Sequence, residues 1–121
     1  MKIILILQFW LFTFSHLEFL YLDKNSLQGM ISDSLVNMTS ITYFDVSFNK
    51  LEWTIPRSLG RLCNLKSIFL AGVKLSQEIS EVLDAFSRCN PDGLQRLDMS
   101  DCQLFGHIPS YLGAGTDLGL G

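Results

Sequence analysis

Apolar residues recur along this chain in a fixed order, with polar residues between them. Leu17, Leu20, Leu22, Asn25, Leu27, Gly29 and Ile31 form one row. Twenty-four residues on stand Ile41, Phe44, Val46, Asn49, Leu51, Trp53 and Ile55, followed by Pro56. The same step again brings Leu65, Ile68, Leu70, Val73, Leu75, Gln77 and Ile79. A fourth row follows after a longer step: Leu94, Leu97, Met99, Cys102, Leu104, Gly106, Ile108 and Pro109. The row tails agree as well, with Leu35 and Met38, Leu59 and Leu62, Leu83 and Phe86, then Leu112. Leu118 stands one ordinary step after Leu94, where a fifth row would open.

Such a period is the mark of a stacked array. Within each row the segment LxxLxL alternates inward apolar and outward polar positions, which is strand periodicity. One unit is too short to bury its apolar edge alone, so the units must stack and share a core. The pattern predicts an α/β solenoid of about four coils, 17–40, 41–64, 65–93 and 94–117, with 118–121 starting a fifth and neither end capped. Its LxL strands lie side by side, about 4.8 Å apart, as a parallel sheet on the concave face. Asn25 and Asn49 are expected to turn inward and bond backbone groups in the bend after each strand. Val73 cannot do so in the third coil, and Cys102 does so weakly in the fourth.

The stretches NSLQGMI, NKLEWTIPRSLGRL and CQLFGHIPSYLG follow the pattern NxLxGxIPxxLGxL. In this the chain resembles the plant-specific subclass of leucine-rich repeats found in receptor-like proteins and receptor-like kinases of the plant cell surface. The resemblance covers residues 17 to about 118. It implies a right-handed solenoid, a second short sheet near LxGxI, and extracellular sensing of peptides, microbial products or partner receptors. The chain departs from the pattern at Trp53 and Gln77, which replace Gly, and at Ser32 and Ser80, which replace Pro. Five extra residues lengthen the third coil, in CNPDG before Leu94. Similar lengthened, Cys-bearing repeats occur in receptor-like proteins of the disease-resistance type, which makes that subgroup the expected one.

Hydrophobic residues make up 48% of the 121 and charged residues 17%, which excludes a disordered chain. A net charge of −3 offers nucleic acid or anionic lipid no general attraction. The apolar run of residues 1–15 follows Lys2 and is too short to span a bilayer comfortably. Two readings fit it. A secretory signal is favoured, with Thr13 and Ser15 before a cut; the other is the tail of a preceding repeat, since Leu7, Leu11 and Phe14 continue the pattern backwards. The cysteines lack metal-ligand spacing. Cys63 and Cys89 end successive coils, where they either pair as a disulfide or stand as two separate thiols. Asn37-Met38-Thr39 is a glycosylation sequon on the convex side.

The outward positions make the candidate ligand-binding surface: Phe19, Tyr21 and Asp23; Tyr43, Asp45 and Phe48; Lys66 and Phe69; Arg96, Asp98 and Asp101. Aromatic and charged groups on a rigid sheet suit recognition, although any one of them also serves as a cross-strand neighbour. Seven-residue strands in four coils give roughly 400 Å² of face, against about 800 Å² per partner in a standard interface. The face thus suits part of a site. Gly113-Ala114-Gly115 with Gly119 follows no strand and opens no helix, so it is expected to be a flexible tail. His16 and His107 have no acid or nucleophile in register, Asp45 and Asp98 lie in no cleft, and the protein-kinase motifs are missing. The expected function is non-catalytic: a protein- or peptide-binding fragment of a plant receptor ectodomain in the secretory pathway, needing no cofactor or metal, with a co-receptor as a further partner. The alternative is a truncated receptor remnant without independent activity.

Overall fold

The computed structural model describes residues 3–4, 16–31, 33–89, 94–107 and 117–119. Most of residues 1–15, Ser32, Asn90–Gly93 of the extension, the positions of Ile108, Pro109 and Leu112, and the glycines at 113 and 115 lie outside them. Five strands form the larger sheet: β2 (Phe19–Tyr21), β4 (Tyr43–Asp45), β6 (Ser67–Phe69), β7 (Arg96–Asp98) and β8 (Asp117–Gly119), all parallel and adjacent in chain order. A smaller sheet joins β1 (Ile3–Ile4), β3 (Leu27–Met30) and β5 (Lys50–Glu52). The coils return through 3-10 helices at Asp33–Asn37 and Arg57–Arg61, and through an α-helix, α1 (Ile79–Phe86).

The repeat register holds in space. Leu20, Phe44, Ile68 and Leu97 are Cα partners across successive strands, and all four are buried. Behind them Leu27, Leu51 and Leu75, then Ile31, Ile55 and Ile79, then Leu35, Leu59 and Leu83 continue the same core. Regular strand pairing covers three residues per coil, shorter than the seven expected. The backbone bonds run further, from Thr42 N–H on the Glu18 carbonyl to Lys24 N–H on the Ser47 carbonyl, so the ladder between these coils spans seven residues, the last of them left-handed.

Lys24, Phe48, Gly72 and Asp101, the equivalent residue of each coil, all have positive φ, between 55° and 81°. This left-handed residue ends the extended run and turns the chain into the bend. Asn49 secures that bend. Its Oδ1 accepts from the N–H groups of Asn25 and Leu27, and its Nδ2 donates to the carbonyls of Leu22, Val46 and Ser47. Asn25 differs from expectation: it is exposed, and its amide donates to the Asp23 carbonyl. Three of the partners of Asn49, namely Asn25, Leu27 and Leu22, lie one coil back, and one coil before Asn25 only Ile3 and Ile4 are described. Val73 is fully buried at this position. Cys102 takes up the role beside it, donating from Sγ to the Leu70 carbonyl at 2.9 Å. Burial pushes its thiol pKa up to about 11, although the Gly72 and Val73 N–H groups facing the sulfur act the other way.

The departures from the repeat pattern are compensated locally. Trp53, where Gly is usual, is buried and donates from Nε1 to Asp33. In the first and third coils Ile31 and Ile79 donate to the backbone carbonyls of Glu52 and Phe105. The matching carbonyl for Ile55 belongs to Ser76, which has a φ of 49° that its counterparts in the other coils lack. Gln77 supplies the missing group, accepting from Ile55 N–H at 2.8 Å and donating to its carbonyl at 3.4 Å. A side-chain amide here replaces a strand edge. In the third coil, Ser80 in place of Pro leaves a backbone N–H, and Ile79, Val82, Leu83 and Phe86 have helical spacing, so a helix forms.

Two terminal registers refine the sequence reading. Ile3 pairs with Leu27, one repeat period on, which is the register a preceding coil would have. Leu118 pairs with Leu97, not with the Leu94 position that the repeat count assigned to it. The fourth coil is therefore three residues shorter from strand to strand, and its fifth-coil strand is Asp117–Gly119.

Candidate functional site

The larger sheet turns one face to the core and the other to solvent, so residues two apart on a strand share the outer face. One cross-strand row carries Phe19, Tyr43, Ser67 and Arg96. The next carries Tyr21, Asp45, Phe69 and Asp98. Phe19 and Tyr21 are 54% and 56% exposed, and Tyr43 and Phe69 are half-buried. The four rings touch in sequence: Phe19–Tyr21 centroids are 6.4 Å apart, Tyr21–Tyr43 4.5 Å and Tyr43–Phe69 5.1 Å. These tilted and stacked contacts stiffen the rings without covering their outer surfaces. Seven of the sequence-chosen positions are thus brought together: Phe19, Tyr21, Tyr43, Asp45, Phe69, Arg96 and Asp98.

The other four lie around that patch. Asp23 and Asp101 are in the turns after the strands, and Lys66 precedes β6, where its carbonyl accepts from Gln95 and Arg96. Phe48 is corrected from a strand position to the left-handed bend residue, 62% exposed, with the Lys24 ammonium 5.8 Å from its ring centroid. Asp45 and Asp98 have local work too. Each accepts through Oδ1 from the N–H two residues on, of Ser47 and Ser100, and Asp98 also accepts from the Ser100 hydroxyl. Only one oxygen of each carboxylate is committed by these bonds.

Sequence reasoning passed over Ser67. It is the small member of its row, buried between Tyr43 and Arg96, and the outward alternation Ser67/Phe69 could have identified it. Ser47 was missed as well: it is buried, and its Oγ accepts from Ala71 N–H, pinning the bend beneath the patch. The phenol of Tyr43 titrates above its ordinary value because burial, then the negative charges of Asp45 and Asp23, disfavour the phenolate; Arg96 opposes them.

Among the described residues, no group of His, Cys, Asp and Glu could hold a metal ion, and no helix is long and apolar enough to cross a membrane. Cys63 and Cys89 are joined by a disulfide with Cα atoms 5.3 Å apart, tying the end of the second coil to the segment after α1. Cys102 is a buried free thiol. Asn37 is exposed at the end of the first 3-10 helix, away from the sheet.

Comparison with known proteins agrees with this architecture. The Leucine Rich Repeat family profile matches residues 16–38, 40–62 and 93–114, more than half of the chain. Receptor-like protein 13 of Arabidopsis thaliana is 36% identical over 74 residues, which is 60% of this chain and 7% of that protein. The chain therefore spans a small part of its relative's length. Among solved structures, the leucine-rich-repeat ectodomain of the Arabidopsis thaliana membrane receptor kinase GASSHO1/SCHENGEN3, in complex with CASPARIAN STRIP INTEGRITY FACTOR 2, superposes with a TM-score of 0.54. That match covers 93% of this chain and 19% of the other at 21% identity, a likeness of fold. With coils, shared core and parallel sheet in place, the chain belongs to the leucine-rich-repeat family and is related to plant receptor-like proteins.

Proposed function

We propose that this chain is a non-catalytic recognition segment of a plant cell-surface receptor ectodomain, binding a protein or peptide through its concave sheet. The observation that carries this reading is the run of four touching, solvent-facing rings on Phe19, Tyr21, Tyr43 and Phe69. Exposed aromatics held rigid by a sheet lose little side-chain entropy on binding and are the residues most enriched at interface hot spots. Two relatives support the setting: one bears the name of a receptor-like protein, and the other is a receptor ectodomain solved with a bound factor. A co-receptor would meet the same rigid array. In this reading the chain enters the secretory pathway, carries a glycan on Asn37, keeps the Cys63–Cys89 bond, and serves defence signalling.

The test is selection of binders from a random peptide display library on the secreted chain. Selected peptides should lose binding to Tyr43→Ala and keep it to Arg61→Ala on the convex side. Binders indifferent to Tyr43→Ala would count against the concave face. N-terminal sequencing of the same preparation separates the two readings of residues 1–15. A start at His16 means a cleaved leader, whereas a start at Met1 means a coil, the register that Ile3 and Leu27 share. The second reading, a receptor remnant with no activity of its own, draws on the apolar Val73 at a bend-bonding position.

A further inference from the structure

Across the sheet, the second concave row alternates in chemistry: Tyr21, Asp45, Phe69, Asp98, one residue per strand. A ring and a carboxylate therefore stand side by side twice, at a repeat of two strands. Asp45 and Asp98 each keep one oxygen clear of their turn bonds. Among the described residues, ion pairs join Arg57 to Asp84 and Lys74 to Glu52, away from this face, so neither engages the two carboxylates of the row. The face also holds Asp23 and Asp101 at its upper margin, and Arg96 and Lys66 on and beside the lower row. The margins are mixed, with Lys24 beside Asp23 at the upper one and Asp117 opposite Arg96 in the lower row, whereas Tyr21, Asp45, Phe69 and Asp98 in the upper row are rings and carboxylates alone.

Resting on the recognition role just proposed, we infer that the partner is an extended basic peptide crossing the strands, with Lys or Arg at every third residue. Each cation would lie against a ring and beside a carboxylate, one at Tyr21–Asp45 and the next at Phe69–Asp98. The spacing selects the register. Two strand intervals amount to about 9.6 Å. A polyproline II chain rises about 3.1 Å per residue with three residues per turn. Residues i and i+3 then share one side, about 9.3 Å apart. A β-strand puts residues i and i+2 on one side, only about 6.8 Å apart, which misses the second carboxylate. Aromatic faces attract cations, and neighbouring carboxylates add to that field. The lower row sets no carboxylate beside a ring between Phe19 and Arg96, so the basic residues seat on the upper one.

The experiment is calorimetric titration of the full secreted chain, at low salt, with three synthetic proline-rich peptides. One carries Lys at i and i+3, one Lys at i and i+2, and one Glu at i and i+3. Asp45→Asn and Asp98→Asn keep the turn-closing oxygen and remove only charge; Glu81→Gln on the exposed side of α1 is the control. The i,i+3 Lys peptide should bind most tightly, and each Asp→Asn change should cost it about fivefold, the scale of one exposed charge contact. Glu81→Gln should cost nothing. Equal binding of the two Lys spacings, or indifference to both Asp→Asn changes, would overturn the inference. Tighter binding of the Glu peptide, abolished by Tyr43→Ala, would overturn the basic class and leave concave recognition standing. If no peptide binds and display-selected binders ignore Tyr43→Ala, both fail together.

Discussion

Gly60 is where the smallest perturbation should do the most damage. It lies buried in the second 3-10 helix, directly under α1. A Cβ at Gly60 would stand 2.0 Å from the Ala85 carbonyl oxygen, 2.9 Å from Arg88 Cδ and 3.2 Å from the Ala85 carbonyl carbon. The Arg88 stem is exposed and can swing aside. The Ala85 oxygen is helix backbone, and relieving that overlap requires α1 to move by about 1.4 Å to reach ordinary contact distance. The helix is not free to move: Val82, Leu83 and Ala85 are buried against the core, and Cys89 just beyond is bonded to Cys63. Overpacking of this kind costs about 1–3 kcal/mol. Replacing Gly also removes unfolded-state freedom, which offsets about 0.4–1 kcal/mol. A backbone overlap this deep belongs at the upper end of that range, so the net for Gly60→Ala is a loss of about 2 kcal/mol. With a urea dependence of about 1–3 kcal/mol per molar, the midpoint should fall by about 1 M, followed by far-UV circular dichroism on the disulfide-intact protein. A midpoint within about 0.2 M of the parent would refute the close-approach reasoning. Gly72 supplies the contrast. Its φ is +81°, yet a Cβ there meets nothing nearer than 3.9 Å, and Lys24, Phe48 and Asp101 hold side chains at the same turn position. Gly72→Asn should therefore shift the midpoint little, because Asn tolerates the left-handed region.

Other outcomes follow from the bends and the cysteines. Asn49→Ala leaves the Asn25 and Leu27 N–H groups and the Leu22 carbonyl without their partner. The exposed Asn25 N–H can turn to water, so the penalty falls on Leu27 N–H and the Leu22 carbonyl; at about 1–3 kcal/mol for each buried group left unsatisfied, this should destabilise by about 3 kcal/mol and speed hydrogen exchange at Leu27. Breaking the Cys63–Cys89 bond, with a sequence separation of 26, should cost about 3.5 kcal/mol on the chain-entropy model; reduced and oxidised midpoints measure it. For Cys102 the folded pKa lies above the ordinary value of 9.0, at about 11, so the native state holds the proton longer than the unfolded chain. Its contribution is complete below about pH 9 and is lost as pH climbs toward about 11. A Cys102→Ala protein should lack that alkaline decline, and native Cys102 should resist iodoacetamide until the chain unfolds.

The coils and the core were legible because the repeat period imposes the same burial demand in every row, and each row leaves little choice of inward residue. The seven outer positions gathered on the sheet followed from alternation alone. What escaped was local substitution. No period announces that Gln77 will replace a carbonyl of Ser76, that Trp53 will fill a glycine site from the core side, or that Cys102 will bond Leu70 where Asn is usual. The first two depend on which group the neighbouring coil leaves unsatisfied; for Cys102 the weak backbone bond was expected from its place in the row, and only its partner, Leu70, was not. The position of Phe48 failed for a different reason: its side chain looks like one more outward aromatic, and only a left-handed φ places it in the bend. The register of Leu118 failed because counting fixes a period and not the length of the return path.

That return path has a consequence for how such a surface can diversify. One coil takes the chain from Tyr43 to Ser67, and a longer one takes it from Ser67 to Arg96, yet both deliver the incoming strand to the same step of the ladder. The longer return path includes α1 in place of a tighter turn. Insertions there leave the pitch of the exposed rows untouched. The back of the array can lengthen, acquire a crosslink or carry sugar, while the front changes one side chain at a time on a grid of constant spacing.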